Sequence, residues 1–327
     1  MIYKTREMPK LIIGQHALLK RLPINHEKYE KIRLDYYNGK AGFGGEREFD
    51  YQLREFIPPY PYAILHDLFL KQDHAYFQID SILITPSIII LFEIKNIAGK
   101  LHIKENPTQF IREAANGERT VLKSPLAEME RKKHFFTNWL QQRNIDIPLT
   151  EFVVFAYQNE LTIENMASSR IAFTYEIPNK LRALEMQSDI LTSEQIRRLA
   201  NELKNAHREY EPFPLTEKYK LTTQELNTGV ACPTCNHLSM RWQLKKWNCQ
   251  ACGHQDLDAH LITLQEWYCI EGTQLTNQQF RQFTNIHSRH IAKRLLANPF
   301  TRISGKKRYA IYHLSPKLLS NPTNLTF

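Results

Sequence analysis

The sequence predicts an α/β architecture: a mixed sheet flanked by helices, followed by a small cysteine-held ribbon and a basic helical tail. Three observations carry this. Residues 76–100 read as two strands joined by a turn at Thr85-Pro86-Ser87, and the second strand contains the unbroken apolar run Ile88-Ile89-Ile90-Leu91-Phe92, as in a strand covered on both faces. A helical pattern at 125–143 and another apolar strand at 152–157 follow, which suits a layered α/β sandwich. Two C-x-x-C pairs then lie in the last third of the chain, where the charge turns basic.

Taken in order, residues 1–40 read as a polar lead-in with a short apolar patch, Leu11-Ile12-Ile13. The glycines from Gly42 to Gly45 read as a loop. Residues 46–56 read as a helix with Phe49, Leu53 and Phe56 on one face, stopped by Pro58-Pro59. Residues 62–70 form a first strand, in which His66 reads as a packed strand residue. Asn116-Gly117 between 109–113 and 118–122 is a hairpin signal. Pro125 suits a first helical turn, and Met129, Phe136 and Leu140 recur at helical spacing behind it. Arg131-Lys132-Lys133 occupies the other faces and reads as solvated. Thr192 and Gln195 form a capping box before the amphipathic Ile196, Leu199 and Leu203. Glu211-Pro212-Phe213-Pro214 reads as a linker. The expected divisions are 1–210, a linker at 211–227, the ribbon at 228–258 and the tail at 259–327.

Chemistry concentrates at the two adjacent strands. Folding back at Pro86 brings Asp80 opposite Glu93, to within one residue of register. Glu93 and Lys95 are two apart and share a face. Two acids and a lysine at the end of a buried strand are costly unless paired or used. The pattern serves an ion pair closing the sheet. It equally serves a metal-dependent phosphodiesterase, in which Asp80 and Glu93 hold Mg²⁺ (or Mn²⁺) and Lys95 positions water or offsets developing charge.

The chain resembles the nuclease-related domain family, NERD, which is grouped with the PD-(D/E)xK nucleases. The resemblance runs through Gly42-Phe43-Gly44-Gly45-Glu46 and Ile64-Leu65-His66-Asp67-Leu68. It is closest at Gln78-Ile79-Asp80 and Phe92-Glu93-Ile94-Lys95-Asn96, and it fades after about Leu203. It implies a restriction-endonuclease-like sheet, Asp80, Glu93 and Lys95 as the catalytic core, and the Ile94 carbonyl as a further metal ligand. It also implies Glu46 as an auxiliary acid. Where the family tends to show Asn-Pro-x-x-Gln, this chain has Ser124-Pro125-Leu126-Ala127-Glu128, so an acid, Glu128, replaces an amide.

Composition sets the remaining bounds. Of 327 residues, 42% are hydrophobic and 24% charged, as in ordinary globular proteins, and no apolar run is long enough to span a membrane. Net charge is +9, and residues 259–327 alone hold nine Lys/Arg against two Asp/Glu, which points to a polyanion such as nucleic acid, most simply DNA. Cys232, Cys235, Cys249 and Cys252 have the spacing of two knuckles closing on one structural Zn²⁺, which fits a reducing, cytoplasmic setting. Trp242 and Trp247 fit the strands of a zinc ribbon, and Arg241, Lys245 and Lys246 serve equally as phosphate contacts or solubilising charge.

In the tail, Thr276 and Gln279 form a capping box, and Ser288 opens a second helix with Ile291, Leu295 and Leu296 inward. A hairpin of 301–303 against 308–312 would complete a winged helix-turn-helix. Arg289, Lys293 and Arg294, with Lys306, Lys307 and Arg308 at the wing, would then contact DNA. A helical cap on the ribbon is the other reading of this segment. The expected function is a metal-dependent nuclease with DNA-binding appendages. Its alternative is an inert, nuclease-like sensor or adaptor that binds nucleic acid.

Overall fold

A computed structural model of the chain describes residues 1–105, 107–164, 170–185 and 188–319. It divides into two compact units: Met1–Glu7 with Lys40–Tyr210, and Met8–Gly39 with Glu211–Phe327. Among the described residues no helix is long and apolar enough to cross a membrane.

The first unit opens with β1 (Ile2–Lys4), which runs parallel to a later strand. Helix α1 (Lys10–Arg21) belongs to the second unit, and the long α2 (Tyr29–Leu53) contributes to both. Then come β2 (Ala63–Gln72), β3 (Ala75–Ile84) and β4 (Ile89–Lys95), antiparallel in succession. A small side sheet follows, of β5 (Lys100–Glu105), β6 (Thr108–Glu113) and β7 (Arg119–Leu122). Helix α3 (Pro125–Gln141) leads to β8 (Leu149–Phe155), which is parallel to β4. The unit ends with β9 (Leu161–Glu164), β10 (Ile171–Phe173), α4 (Ile177–Arg182) and α5 (Ser193–Ala206). The main sheet has the order β1-β2-β3-β4-β8-β10 and mixes parallel with antiparallel pairs; the side sheet is β7-β6-β5-β9.

The main sheet is covered on both faces. Met129, Phe136 and Trp139 of α3 and Leu199 and Leu203 of α5 pack with Ile89 and Leu91. Phe49 and Leu53 of α2 and Ile177 and Leu181 of α4 pack with Ile90 and Phe92. That double cover is why β4 reads as continuous apolar sequence. At Asp67, whose φ is 52°, the alternation inverts: Leu65 and Leu68 share one core, as do Ile79 and Ile82 on the partner strand. The expected capping box at Thr192 is formed, with Gln195 N–H donating to its Oγ1 at 3.3 Å.

Two expectations fail near the N-terminus. The Gly42–Gly45 stretch is helix, not loop. A Cβ on Gly45 would lie 2.5 Å from the Asn96 Cβ and 3.0 Å from the Ala156 Cβ, so glycine here lets α2 approach the strand ends. Residues 1–40 are not a lead-in, since they form β1, α1 and the start of α2.

In the second unit, Ala17, Leu18 and Leu22 of α1 pack against Leu215 and Tyr219 of α6 (Leu215–Tyr219), so the expected linker at 211–227 is partly helical and buried. The ribbon is β11 (Met240–Gln243), β12 (Lys246–Cys249) and β13 (Gln255–Asp256), antiparallel throughout. Next are α7 (Ala259–Glu271), β14 (Gln274–Thr276), α8 (Asn277–Thr284), α9 (Arg289–Leu296), β15 (Thr301–Ser304) and β16 (Ile311–Leu314). The last three strands form a sheet ordered β14-β16-β15. The hairpin register is Thr301↔Leu314 to Ser304↔Ile311, so its second strand starts three residues later than the sequence suggests. The reason is a 3-10 turn at Lys307–Tyr309 that lengthens the tip.

Residues 8–39 thus group with 211–327 rather than with the rest of the expected 1–210 division. An internal ion pair ties them there. Arg21, fully buried, donates from Nε and Nη2 to Glu266 Oε2 at 2.9 and 2.5 Å and from Nη1 and Nη2 to the carbonyls of Asn227 and Gly229 at 3.0 Å each. Lys20 donates to Glu266 Oε1 at 2.8 Å. Burial pushes the Glu266 carboxyl up, but Lys20 and Arg21 outweigh it and hold it at about 2.

Candidate functional site

The pairing of β3 with β4 runs from Ile84↔Ile89 to Ser81↔Phe92, and the next residue on each strand is an acid: Asp80 and Glu93. Asp80 Oδ2 accepts from the Ile94 amide at 2.8 Å, so a side chain continues the pairing where the backbone ladder stops. Ile94 itself is buried among the α2-side core residues. Glu93 Oε1 meets Lys95 Nζ at 2.8 Å, and the same Nζ donates to Glu128 Oε2 at 2.8 Å. The charges expected at the sheet end are therefore together, and Glu128, from the first turn of α3, holds Lys95 on its other side.

One further side chain joins them. Lys132, one helical turn after Glu128, donates to Glu93 Oε2 and places its Nζ 3.8 Å from Asp80 Oδ1. Both carboxylates therefore point to the α3 side of the sheet and converge on one ammonium. This corrects the reading of Arg131-Lys132-Lys133 as a solvated face: the Lys132 side chain is only 12% exposed. Lys133 pairs with the buried Glu151 at 2.7 Å. The missed signal was periodicity: 128 and 132 are four apart on a helix whose buried face is marked by Met129 and Phe136.

Beside Asp80 lies a second network that the sequence reading did not contain. Arg6, between β1 and α1, donates to Glu46 Oε2 at 2.8 Å and to Asp50 at 2.9 and 3.1 Å. Its Nη2 also reaches the Asp80 carbonyl and Ser81 Oγ, both at 2.9 Å. His66 Nδ1 lies 2.8 Å from Ser81 Oγ and 3.1 Å from Asp50 Oδ1. Glu46 thus sits in the Arg6 network. It forms no three-ligand cluster with Asp80 and Glu93. Among the described residues, the one group of three or more His, Cys, Asp or Glu whose ligand atoms lie within 4.8 Å of each other is the four cysteines.

The electrostatics follow from burial against pairing. Burial raises the Asp80 carboxyl, and the neighbouring Glu93 charge adds to this. Burial acts on Glu93 too, but Lys132 and Lys95 outweigh it and lower the carboxyl. Burial would lower Lys95, yet Glu93 and Glu128 raise it, so it stays an ammonium. Glu46 is pushed up to about 7 by burial, with Arg6 opposing and Asp80 adding. Burial lowers His66 to about 4.

A divalent cation fits this donor set. Two carboxylates with hard oxygens converge on a cationic nitrogen, and Mg²⁺ commonly takes one or two carboxylates and completes its shell with water.

The four cysteines fit zinc. Cys232 and Cys252 sulfurs are 3.7 Å apart, and those of Cys235 and Cys249 are 3.6 Å apart. A tetrahedral ion with Zn–S bonds of about 2.3 Å sets sulfurs about 3.8 Å apart. The two knuckles repeat one design. Cys232 and Cys249 N–H donate to the carbonyls of His237 and His254 at 2.9 and 2.8 Å. A positive-φ residue closes each: Asn236 at 61° and Gly253 at 75°. Strands β11 and β12 present Trp242 and Trp247 as expected.

On α9, Arg289, Lys293 and Arg294 are exposed, as are Lys306 and Lys307 at the β15–β16 tip. The Arg294 guanidinium lies 5.6 Å from the Trp242 ring centroid, so it also braces the ribbon. The side chain of Arg308 lies outside those described.

Residues 41–156 match the family model described as nuclease-related domain, NERD. The match takes in Glu46, Asp80, Glu93, Lys95, Glu128 and Lys132, and leaves out Arg6. No curated protein and no solved structure is significantly similar to the chain.

Proposed function

We propose, from the nuclease-related domain at 41–156, that the first unit hydrolyses phosphodiester bonds of nucleic acid, most simply DNA, in a metal-dependent reaction. The observation that carries this is the convergence of Asp80, Glu93 and Lys95 where the pairing of β3 with β4 ends, inside the matched span. Asp80 and Glu93 would hold the ion, Mg²⁺ or Mn²⁺. When bound, such an ion supplies Lewis-acid polarisation of a phosphoryl oxygen and a water of lowered pKa. Lys95 stays charged and lies beside Glu93, so it is suited to orient the attacking water or to meet charge developing on the phosphate. Glu128 fixes Lys95 from the opposite side, and Glu46 acts through Arg6 on the backbone of Asp80.

The second unit would bind the substrate. The succession α7, β14, α8, α9, β15, β16 and the sheet order β14-β16-β15 support a winged helix-turn-helix. Helix α9 would enter the major groove through Arg289, Lys293 and Arg294, and the tip with Lys306, Lys307 and Arg308 would follow the backbone. The zinc ribbon would be structural, because four thiolates leave no open coordination position.

One observation favours a second reading, a nucleic-acid-binding protein whose nuclease-like unit is inert. Glu128 and Lys132 neutralise the very groups that would act. Incubating the purified full chain with several DNA forms, with and without Mg²⁺ or Mn²⁺, separates the two. Cleavage lost in Asp80→Ala and Lys95→Ala supports the enzyme. Retained binding with no cleavage by any form supports the inert binder.

A further inference from the structure

We propose that the Lys132 ammonium is the resident cation of the acid pair: it holds the place between Asp80 and Glu93 that a divalent ion would take, and metal enters only when Lys132 withdraws. The inference rests on the metal-dependent reading above, and it adds a competitor that the reading does not contain.

The geometry is specific. Lys132 is anchored on α3, and its Nζ reaches both carboxylates from the side opposite the β-sheet backbone, bonding Glu93 Oε2 and lying 3.8 Å from Asp80 Oδ1. Glu93 Oε1 is already committed to Lys95, and Asp80 Oδ2 to the Ile94 amide. The oxygens left for a metal are therefore the two that Lys132 faces. An ammonium and a divalent ion cannot share them, for sterics and like charge both forbid it. Lysine is suited to leave, because its charge sits on a four-carbon stem with little preorganised geometry.

The test is metal binding, read apart from cleavage. Free Mn²⁺ is followed by electron paramagnetic resonance in titrations of the zinc-loaded full chain, the Lys132→Gln variant, and the double variant Lys132→Gln with Asp80→Asn. Mn²⁺ is chosen because hard oxygens take it and a thiolate site does not. The expected result is Mn²⁺ bound about tenfold or more tightly by Lys132→Gln than by the parent, a typical coupling size, with the gain lost in the double variant. Equal Mn²⁺ affinity of parent and Lys132→Gln at an Asp80-dependent site would overturn the inference and leave the metal reading standing. No Asp80-dependent binding in either would overturn both.

Should Lys132→Gln fail to fold, the parent alone decides the matter. Acetylation of individual lysines is timed by mass spectrometry with and without Mn²⁺. Faster labelling of Lys132 with the ion supports displacement, and unchanged or slower labelling overturns it.

Discussion

At Asp80 a carboxylate stands in for the next backbone acceptor of a β-ladder, and the backbone beneath it is gripped by Arg6. Such a residue is fixed before any ligand arrives. The neighbouring His66 shows what the network costs. Its imidazole is buried and lowered to about 4, so between about pH 6.5 and 4 the unfolded chain binds a proton that the folded chain does not. Stability is therefore full above that window and falls as pH drops through it, by at most about 3 kcal/mol from this residue. Urea unfolding of the parent and of His66→Gln at pH 7 and pH 5 should give a shallower pH dependence in the variant. His260, lowered to about 4 by burial, keeps its own share.

The grouping of Asp80, Glu93 and Lys95 was legible in the sequence because it lies on β-structure with period two: Glu93 and Lys95 share a face by counting, and the turn at Pro86 sets Asp80 against Glu93. Lys132 was not legible. A run of three basic residues looks the same whether one of them turns inward or none does, and only packing against β4 separates Lys132 from Arg131.

At the scale of elements, α2 is the instructive case. Its glycines suggested a loop, since glycine is a poor helix former. The helix persists because its Phe49 and Leu53 are buried against β4 and β8, and because Gly45 is needed for contact, not for a turn. Gly45 and Gly44 should then behave differently. Gly45→Ala meets the Asn96 and Ala156 Cβ atoms and is expected to destabilise the unit by about 1–3 kcal/mol. Gly44→Ala meets nothing within 4 Å and is expected to stabilise it by up to about 1 kcal/mol. Chemical denaturation of the two variants checks the sign of each. Helix α9 and the β15–β16 tip carry a second prediction. Lys306→Ala with Lys307→Ala should lower the salt slope of DNA binding by about 2, with little change in sequence preference. Fluorescence titrations at several salt concentrations would measure it. The tip itself was misjudged by three residues, because no sequence signal marks the 3-10 turn at Lys307–Tyr309.

At the scale of the whole chain, the N-terminal segment is divided: Met1–Glu7 completes the sheet unit, and Met8–Gly39 completes the other. A three-residue strand and a helix with four consecutive polar or small positions give little periodicity to read, so this exchange was invisible in the sequence. The Arg21–Glu266 pair makes it testable. Arg21→Met leaves a buried carboxylate with Lys20 alone and is expected to cost about 3–5 kcal/mol, and Arg21→Met with Glu266→Leu should recover part of that. Thermal unfolding of the second unit, followed by the fluorescence of Trp242, Trp247 and Trp267, reports both.

The nuclease assignment stands or falls on metal-dependent cleavage measured beside its own knockouts. With Mg²⁺ or Mn²⁺ added, the zinc-loaded parent should cut DNA, and omission of the divalent ion should stop it. Asp80→Ala and Lys95→Ala should each cut at least about 100-fold more slowly at unchanged zinc content and DNA affinity. A parent that cuts no DNA form under these conditions, or variants that cut as fast as the parent, would contradict the account.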